Sequence, residues 1–387
     1  MGEGAKERVF HPECPYARAR IHLNLMRPDD LSVLSDEYEK RGIVLCLGSG
    51  VSRSSGIPDW RELLTRLAER AWPKGSPEFY QEFLNSGFSL PAIASVLQEQ
   101  LGDDFVEAVR EALYRDFPLF NKPKWSGDRH RFVSDVQRLN LTLRTVAALC
   151  ARKEGHRFKR SQNVRAIINL NFDVLLQTYM RARYNGYLLR TVERPDASIS
   201  RQKIPTYHAH GMLHFDPAQF RDLDEESPDL MVITEQQYYD FFGKAFSVFS
   251  YTMMALLREH SFVFVGTALR DENLRRLVHY NFKEREDAAK RRGREQRPRR
   301  LLRHFLITCK CGHDEVDDAA ELAHKRIGVR TLWLDRWEEL PAFFERLYKE
   351  EGSTWQEVYG TQEFFNALYA RLRGPGSENS AGSETTE

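Results

Sequence analysis

The residues with the clearest chemical potential lie in one stretch. An apolar run, Ile43 to Leu47, leads straight into Gly48-Ser49-Gly50-Val51-Ser52 and then Ser55-Gly56-Ile57-Pro58-Asp59-Trp60-Arg61. Glycines directly after a buried strand let the backbone turn sharply and approach a ligand, so that successive N–H groups can face a pyrophosphate. The spacing departs from the common dinucleotide fingerprint, because Arg53 stands where a third glycine would be. An ordered loop through Arg61 also replaces the immediate entry into a helix. Three further blocks follow: Asn169-Leu170-Asn171-Phe172-Asp173, His208-Ala209-His210-Gly211 and Gly266-Thr267-Ala268-Leu269. Each alone is compatible with a turn at a sheet edge. Together they fall, in order, at the C-terminal ends of expected strands, where open α/β sheets bind ligands. Ser52 and Thr267 add hydroxyls suited to phosphate contact.

The elements that must position these blocks are legible from periodicity. Short apolar runs at Ile43 to Leu47, Val164 to Leu170, Thr206 to Ala209, Phe262 to Val265, His304 to Thr308 and Val329 to Leu334 read as buried strands of a mainly parallel sheet. Helical patterns separate them. Trp60, Leu63, Leu64, Leu67 and Ala68 share one face, with Asp59 and Glu62 as a capping pair; Phe242–Leu257, Glu272–Lys290 and Trp337–Tyr348 are similar. Strands alternating with helices give an α/β fold, a Rossmann-like doubly wound sheet. Residues 61–163 show helical spacing and read as an inserted all-helical module. The catalytic domain is then 42–60 with 164–335, flanked by an N-terminal segment and helix at 1–41, C-terminal helices at 336–373 and a disordered tail at 374–387. An irregular stretch, about 186 to 230, is expected to cover the C-terminal edge of the sheet. The basic segment 284–303 reads as a solvated helix end and loop, or as a docking patch for an acidic partner.

Composition bounds the function. The chain has 387 residues, 57 Lys+Arg against 56 Asp+Glu, 41% hydrophobic residues and five cysteines. Net charge +1 argues against a general polyanion binder, and no sequence-specific nucleic-acid binding is expected. An odd number of scattered cysteines suggests a reducing compartment. The N-terminus has no signal-peptide pattern, and no apolar run approaches the roughly 20 residues that span a bilayer. A soluble, cytoplasmic protein without membrane contact is expected.

The composite of strand, GSGVS and SGIPDWR resembles the sirtuin signature, with Trp60 in place of the family's phenylalanine. The blocks at Asn169–Asp173, His208–Gly211 and Gly266–Leu269 resemble the other sirtuin motifs, in the family order. The resemblance covers roughly residues 42–61, 165–180 and 204–335. It implies NAD+ as substrate, with Gly48, Ser49, Gly50, Ser52, Gly56, Ile57, Asp59, Trp60, Arg61, Asp173, Gly266 and Thr267 around it. By that resemblance Asn171 is the orienting amide and His210 the base for cleaving the nicotinamide–ribose bond through an oxocarbenium-like state. Asp173 would lie near the nicotinamide amide, and Arg61 would reach the phosphates. Each has a structural alternative: Asn171 as a helix N-cap, His210 as a core histidine, Asp173 as a first-turn carboxylate, Arg61 as a solvated arginine. Asp59 is either ligand-binding or a cap. His208 shares a strand face with His210, and physics alone does not separate them.

Deacylases of the family carry a zinc ribbon, whose metal needs four Cys/His ligands. Between Gly48 and His210 the sequence has only Cys150, and Cys309-Lys310-Cys311 with His313 comes late; no metal is expected, and the helical module stands where the ribbon would be. That pattern resembles the sirtuin-like NAD+ hydrolases of bacterial antiphage defence. The residues after Leu334 offer no room for a sensor domain, so control is expected from homo-oligomerisation or a HerA-type hexameric ATPase partner. The alternatives are an NAD-dependent deacylase or ADP-ribosyltransferase, and a non-catalytic NAD or ADP-ribose binding module.

Overall fold

The computed structural model describes residues 28–118, 129–184, 188–192, 200–216, 231–243, 248–293 and 301–360. The chain runs through α1 (Pro28–Lys40) and β1 (Ile43–Leu47) into two 3-10 turns, Ser49–Val51 and Arg53–Ser55. Helices follow: α2 (Trp60–Ala71), α3 (Pro77–Leu84), α4 (Leu90–Leu101), α5 (Phe105–Tyr114), α6 (Arg129–Leu139) and α7 (Leu141–Leu149). Next come β2 (Ala151–Glu154), β3 (Arg157–Arg160), β4 (Val164–Asn169), α8 (Leu175–Tyr184), β5 (Leu189–Val192) and β6 (Ile204–His208). The remainder is α9 (Glu235–Gly243), α10 (Val248–Glu259), β7 (Ser261–Val265), α11 (Glu272–Arg291), β8 (His304–Cys309), α12 (Asp314–Lys325), β9 (Val329–Leu334), α13 (Leu340–Leu347) and α14 (Trp355–Tyr359).

Seven strands form one sheet in the order β5-β6-β4-β1-β7-β8-β9, with every neighbouring pair parallel. From β6 to β9 this is the doubly wound order of dinucleotide-binding sheets, with β5 added at the edge. Every residue of β1 and β7 is buried, which is why both read as unbroken apolar runs. Alternate residues of β1 serve opposite faces. Ile43, Leu45 and Leu47 join one core with Leu63, Leu67 and the inserted helices, while Val44 and Cys46 join a second core with Phe262, Phe264 and Leu257. The chain lays strands on one side of β1, then crosses back to start β7 on the other. The reversal therefore falls between β1 and β7.

Four expectations need correction. The segment 61–163 is not helical throughout, because β2 and β3 pair as an antiparallel hairpin at its end. Arg157-Phe158-Lys159-Arg160 alternates exposed and half-buried residues and has no apolar run; the hairpin is fixed instead by tertiary contacts, Tyr348 Oη to the Ala151 carbonyl (2.9 Å) and the Lys153 N–H to Ser353 Oγ (2.9 Å). The stretch expected to be irregular contains the short edge strand β5. The helical pattern over Phe242–Leu257 belongs to two helices, α9 and α10, and the one from Trp337 starts as a 3-10 turn before Pro341 permits an α-helix. The tail, most of the KRRGREQRPRR core and the N-terminal 27 positions lie outside the described residues.

The inserted helices reach directly into the loops at the C-terminal end of the sheet. Tyr114 Oη, on α5, donates to the Leu213 carbonyl (2.6 Å) and accepts from the Val174 N–H (3.3 Å). Arg110 donates to the His214 carbonyl at 2.5 Å. Asn140 caps α7 through Oδ1 (Leu143 N–H, 2.9 Å), and its Nδ2 donates to the Val51 carbonyl (3.0 Å) and Ser55 Oγ (2.8 Å). Loops after β1, β4 and β6 are thus tied to one helical brace. Tyr114→Phe strips two buried backbone groups of their partner and is expected to lower stability by about 1–3 kcal/mol, measured as a shift in the urea unfolding midpoint.

Candidate active site

The loops after β1 and β7 meet backbone to backbone. The Gly48 N–H donates to the Val265 carbonyl (3.0 Å), and the Gly50 N–H donates to the Gly266 carbonyl (2.9 Å). A Cβ on Gly50 would stand 2.8 Å from Gly266 Cα, and one on Gly266 (φ 68°) would stand 2.6 Å from the Val51 nitrogen. The glycines therefore serve a close approach between two loops. Their N–H groups do not face outward as the motif suggests; those of Val51 and Ser52 close the 3-10 turn onto Gly48 and Ser49. The half-buried Ser49 and Thr267 place two hydroxyls at this loop. Thr267 Oγ1 accepts from the Leu269 N–H (3.2 Å), across a turn in which Leu269, fully buried, takes φ 50°. A left-handed leucine is a strained conformation that its surroundings must enforce.

Ser52, Asn171, Asp173 and the two histidines come together beneath this contact. Ser52 Oγ donates to Asp173 Oδ1 (3.0 Å), which also accepts from the Leu175 N–H (3.0 Å) at the start of α8. Asp173 is 1% exposed, and its Oδ2 has no hydrogen-bond partner. Burial raises its carboxyl to about 6, against the lowering pull of those hydrogen bonds. Asn171 is not a helix cap. Its Nδ2 donates to the Gly48 carbonyl (3.0 Å), which ties the loop after β4 to the loop after β1 and turns Oδ1 the other way.

The structure separates the two histidines. His208, 1% exposed, is engaged at both ring nitrogens, by the Asn171 carbonyl (3.3 Å) at Nδ1 and by the Gln177 side chain at Nε2. It holds the backbone of Asn171 and is spent on that task. His210 lies one turn further, beyond the end of β6, hydrogen-bonded to the Leu170 carbonyl and packed against the Tyr238 ring (centroids 5.8 Å apart). Burial lowers its basicity, while Asp271 and the Leu170 carbonyl pull the other way.

Asp59 and Arg61 stand apart from this group. Asp59 caps α2, accepting from the Glu62 N–H (2.9 Å) and from Arg53 (2.8 Å). Arg61 donates to Asn85 Oδ1 (3.1 Å) beyond α3. Neither hydrogen-bonds to Asn171, Asp173 or His210. Trp60 packs at 6.1 Å from the Phe172 ring, Ile57 is buried in the core, and Gly56 turns through φ 88° where a side chain would strike the Asp116 carbonyl. Motif reading missed Tyr114, Asn140, Gln177, Tyr238 and Asp271. Only Asp271 had a signal, its place just after the Gly266–Leu269 block.

Among the described residues, no group of three or more His, Cys, Asp or Glu is arranged to hold a metal ion, and no helix is long and apolar enough to cross a membrane. Cys309 ends β8; the exposed Cys311 donates its N–H to Asp317 (3.1 Å) and its thiol to the His313 carbonyl.

Residues 165–332 match the family model of the SIR2-like domain, a span running from β4 into β9. No curated protein matches the chain. That part of the chain is therefore similar to the SIR2-like domain.

The buried carboxylate gives a pH signature. Because Asp173 titrates at about 6 when folded and near 3.8 otherwise, folding favours its protonated form. The resulting cost is absent below about pH 4, grows as pH rises through 6, and reaches ~3 kcal/mol above that. Asp173→Asn keeps an oxygen for Ser52 and Leu175 and removes the charge. It is expected to be more stable than the parent at pH 7, with the difference vanishing near pH 4, as followed by urea unfolding across that range.

Proposed function

We propose that this protein is a sirtuin-like NAD+ hydrolase, which cleaves the nicotinamide–ribose bond to give ADP-ribose and nicotinamide. The observation that carries this reading is the unpartnered, buried Oδ2 of Asp173, on the same loop as Asn171 and below the reversal point of the sheet. A buried acceptor without a donor is costly, and a ligand that supplies the missing N–H would remove that cost. The carboxamide of nicotinamide has that donor.

The geometry supports the following roles. Asn171, pinned at Nδ2, presents Oδ1 to a ribose hydroxyl or an incoming water. His210, disposed by burial to be neutral at pH 7, can take the proton that the attack releases. Asp173, mostly ionised at that pH, holds the leaving amide. Ser49 and Thr267 supply hydroxyls for the phosphates. The same reading assigns the activity to antiphage defence by NAD+ depletion, controlled through homo-oligomerisation or a HerA-type ATPase. Its support is the resemblance of the motif set to that branch, and the inserted helices between β1 and β4, which brace the site loops.

The test is product analysis with the full chain, alone and with a co-purifying ATPase. Nicotinamide and ADP-ribose should appear in equal amounts, and Asn171→Ala or His210→Ala should cut the rate by roughly 100-fold or more. Full release by Asn171→Ala, or none by the parent in any assembly, would overturn the proposal. Nicotinamide released only in step with deacylation of an acyl-lysine peptide would instead identify a deacylase. Tight NAD+ binding without cleavage would identify a binding module.

A further inference from the structure

His210 as the base leaves a physical difficulty. A base must gain a charge as it accepts a proton, yet His210 sits where burial disfavours that charge. Resting on that reading of the site, we propose that Asp271, held in place by Tyr238, is the positioning carboxylate that stabilises His210 in its protonated form.

Both oxygens of Asp271 are fixed. Oδ1 accepts from the Leu274 N–H (2.7 Å) as the N-cap of α11, and Oδ2 accepts from Tyr238 Oη (3.3 Å). An aspartate at this position satisfies one of the otherwise unpaired N–H groups of the helix's first turn, which fixes its orientation. The Tyr238 ring lies against the His210 ring at 5.8 Å, so the phenol spans imidazole and carboxylate. The segment that carries Tyr238 is registered on His210 itself, because the Val232 N–H donates to the His210 carbonyl (3.0 Å) just before α9. On the other side, the left-handed turn at Leu269 delivers the chain to Asp271, with the Leu269 carbonyl held by Arg275 (3.2 Å).

The groups that face His210 include Asp271 from the start of α11, Tyr238 from α9 and the Leu170 carbonyl from the loop after β4. Burial pushes the Cys46 thiol of β1 up, with Asp271 adding to the effect, so Cys46 adds no charge to the site. In the reaction, a ribose hydroxyl or water gives its proton to His210, which becomes imidazolium. Asp271 takes no part in that transfer and acts only through its position. The arrangement follows the general logic of a base supported by a carboxylate that it does not discharge, except that here a tyrosine holds the carboxylate and a helix caps it.

Asp271→Asn retains an Oδ1 for the cap of α11 and removes the charge. With imidazole-labelled protein, and the His210 resonance assigned by its loss in His210→Gln, the His210 titration midpoint in Asp271→Asn is expected to fall by roughly 0.5–1 pH unit. Tyr238→Phe, which leaves the fold's hydrophobic contacts in place, should produce a smaller fall in the same direction and reports independently if Asp271→Asn does not fold. In turnover, Asp271→Asn should lower kcat about 10-fold or more, with KM little changed and the acid limb of the pH profile displaced to lower pH. An unmoved midpoint in the folded variants would overturn the role of Asp271. A parent protein that releases no nicotinamide would overturn the proposed function instead, since the titration needs no substrate.

Discussion

The loops after β1 and β7 touch through bare backbone, and much of the site depends on that contact. Gly48 and Gly50 donate to Val265 and Gly266 at a distance that leaves no room for a Cβ on either side. Two parallel strands that diverge at a reversal point normally leave a crevice there. In this chain the two loops at that point meet glycine against glycine. The carbonyl of Gly48 is left pointing toward the next strand, where it receives the amide of Asn171. Conformation, hydrogen bonding and the aim of one side chain are thus consequences of a single close approach.

The inserted helices supply what a single sheet could not. Loops at a sheet edge carry unpaired backbone groups and need partners to stay in one arrangement. Tyr114, Arg110 and Asn140 provide them for three loops at once. The module is itself fastened to the C-terminal part of the chain. Arg144, buried in α7, donates twice to the Tyr359 carbonyl (3.0 and 2.6 Å) and lies 4.0 Å over the Tyr359 ring. Glu350, also buried, accepts from the N–H groups of Gln162 and Asn163 at the entry to β4.

The site holds polar groups in states that do not favour the folded protein. Asp173 keeps a carboxylate oxygen in the interior without a donor, and Leu269 occupies a backbone region that leucine avoids. Such costs persist where the surrounding structure over-determines them. Here the enforcing contacts are Ser52 and the start of α8 for Asp173, and Thr267 with Arg275 for Leu269. The two histidines show the same division. One is consumed in holding Asn171, and the other is left with a carboxylate and a phenol beside it.

The sequence by itself determined the α/β class and the central strands. Ile43–Leu47 and Val329–Leu334 lie where their apolar runs place them, because a strand buried on both faces has no other pattern to show. It also marked the loops that meet at the reversal point, since glycine, asparagine and histidine at strand ends are visible as residue types. Only the tertiary structure decided what those residues touch. The hairpin β2–β3 and the edge strand β5 are short, polar and held by distant partners, so periodicity carries little of them. Asp59 is a cap and Arg61 faces α3, a choice made by the packing of the inserted helices. His208 and His210 are chemically identical in the sequence; Gln177 and Asn171 claim one, and Tyr238 and Asp271 flank the other, through contacts between residues far apart in the chain.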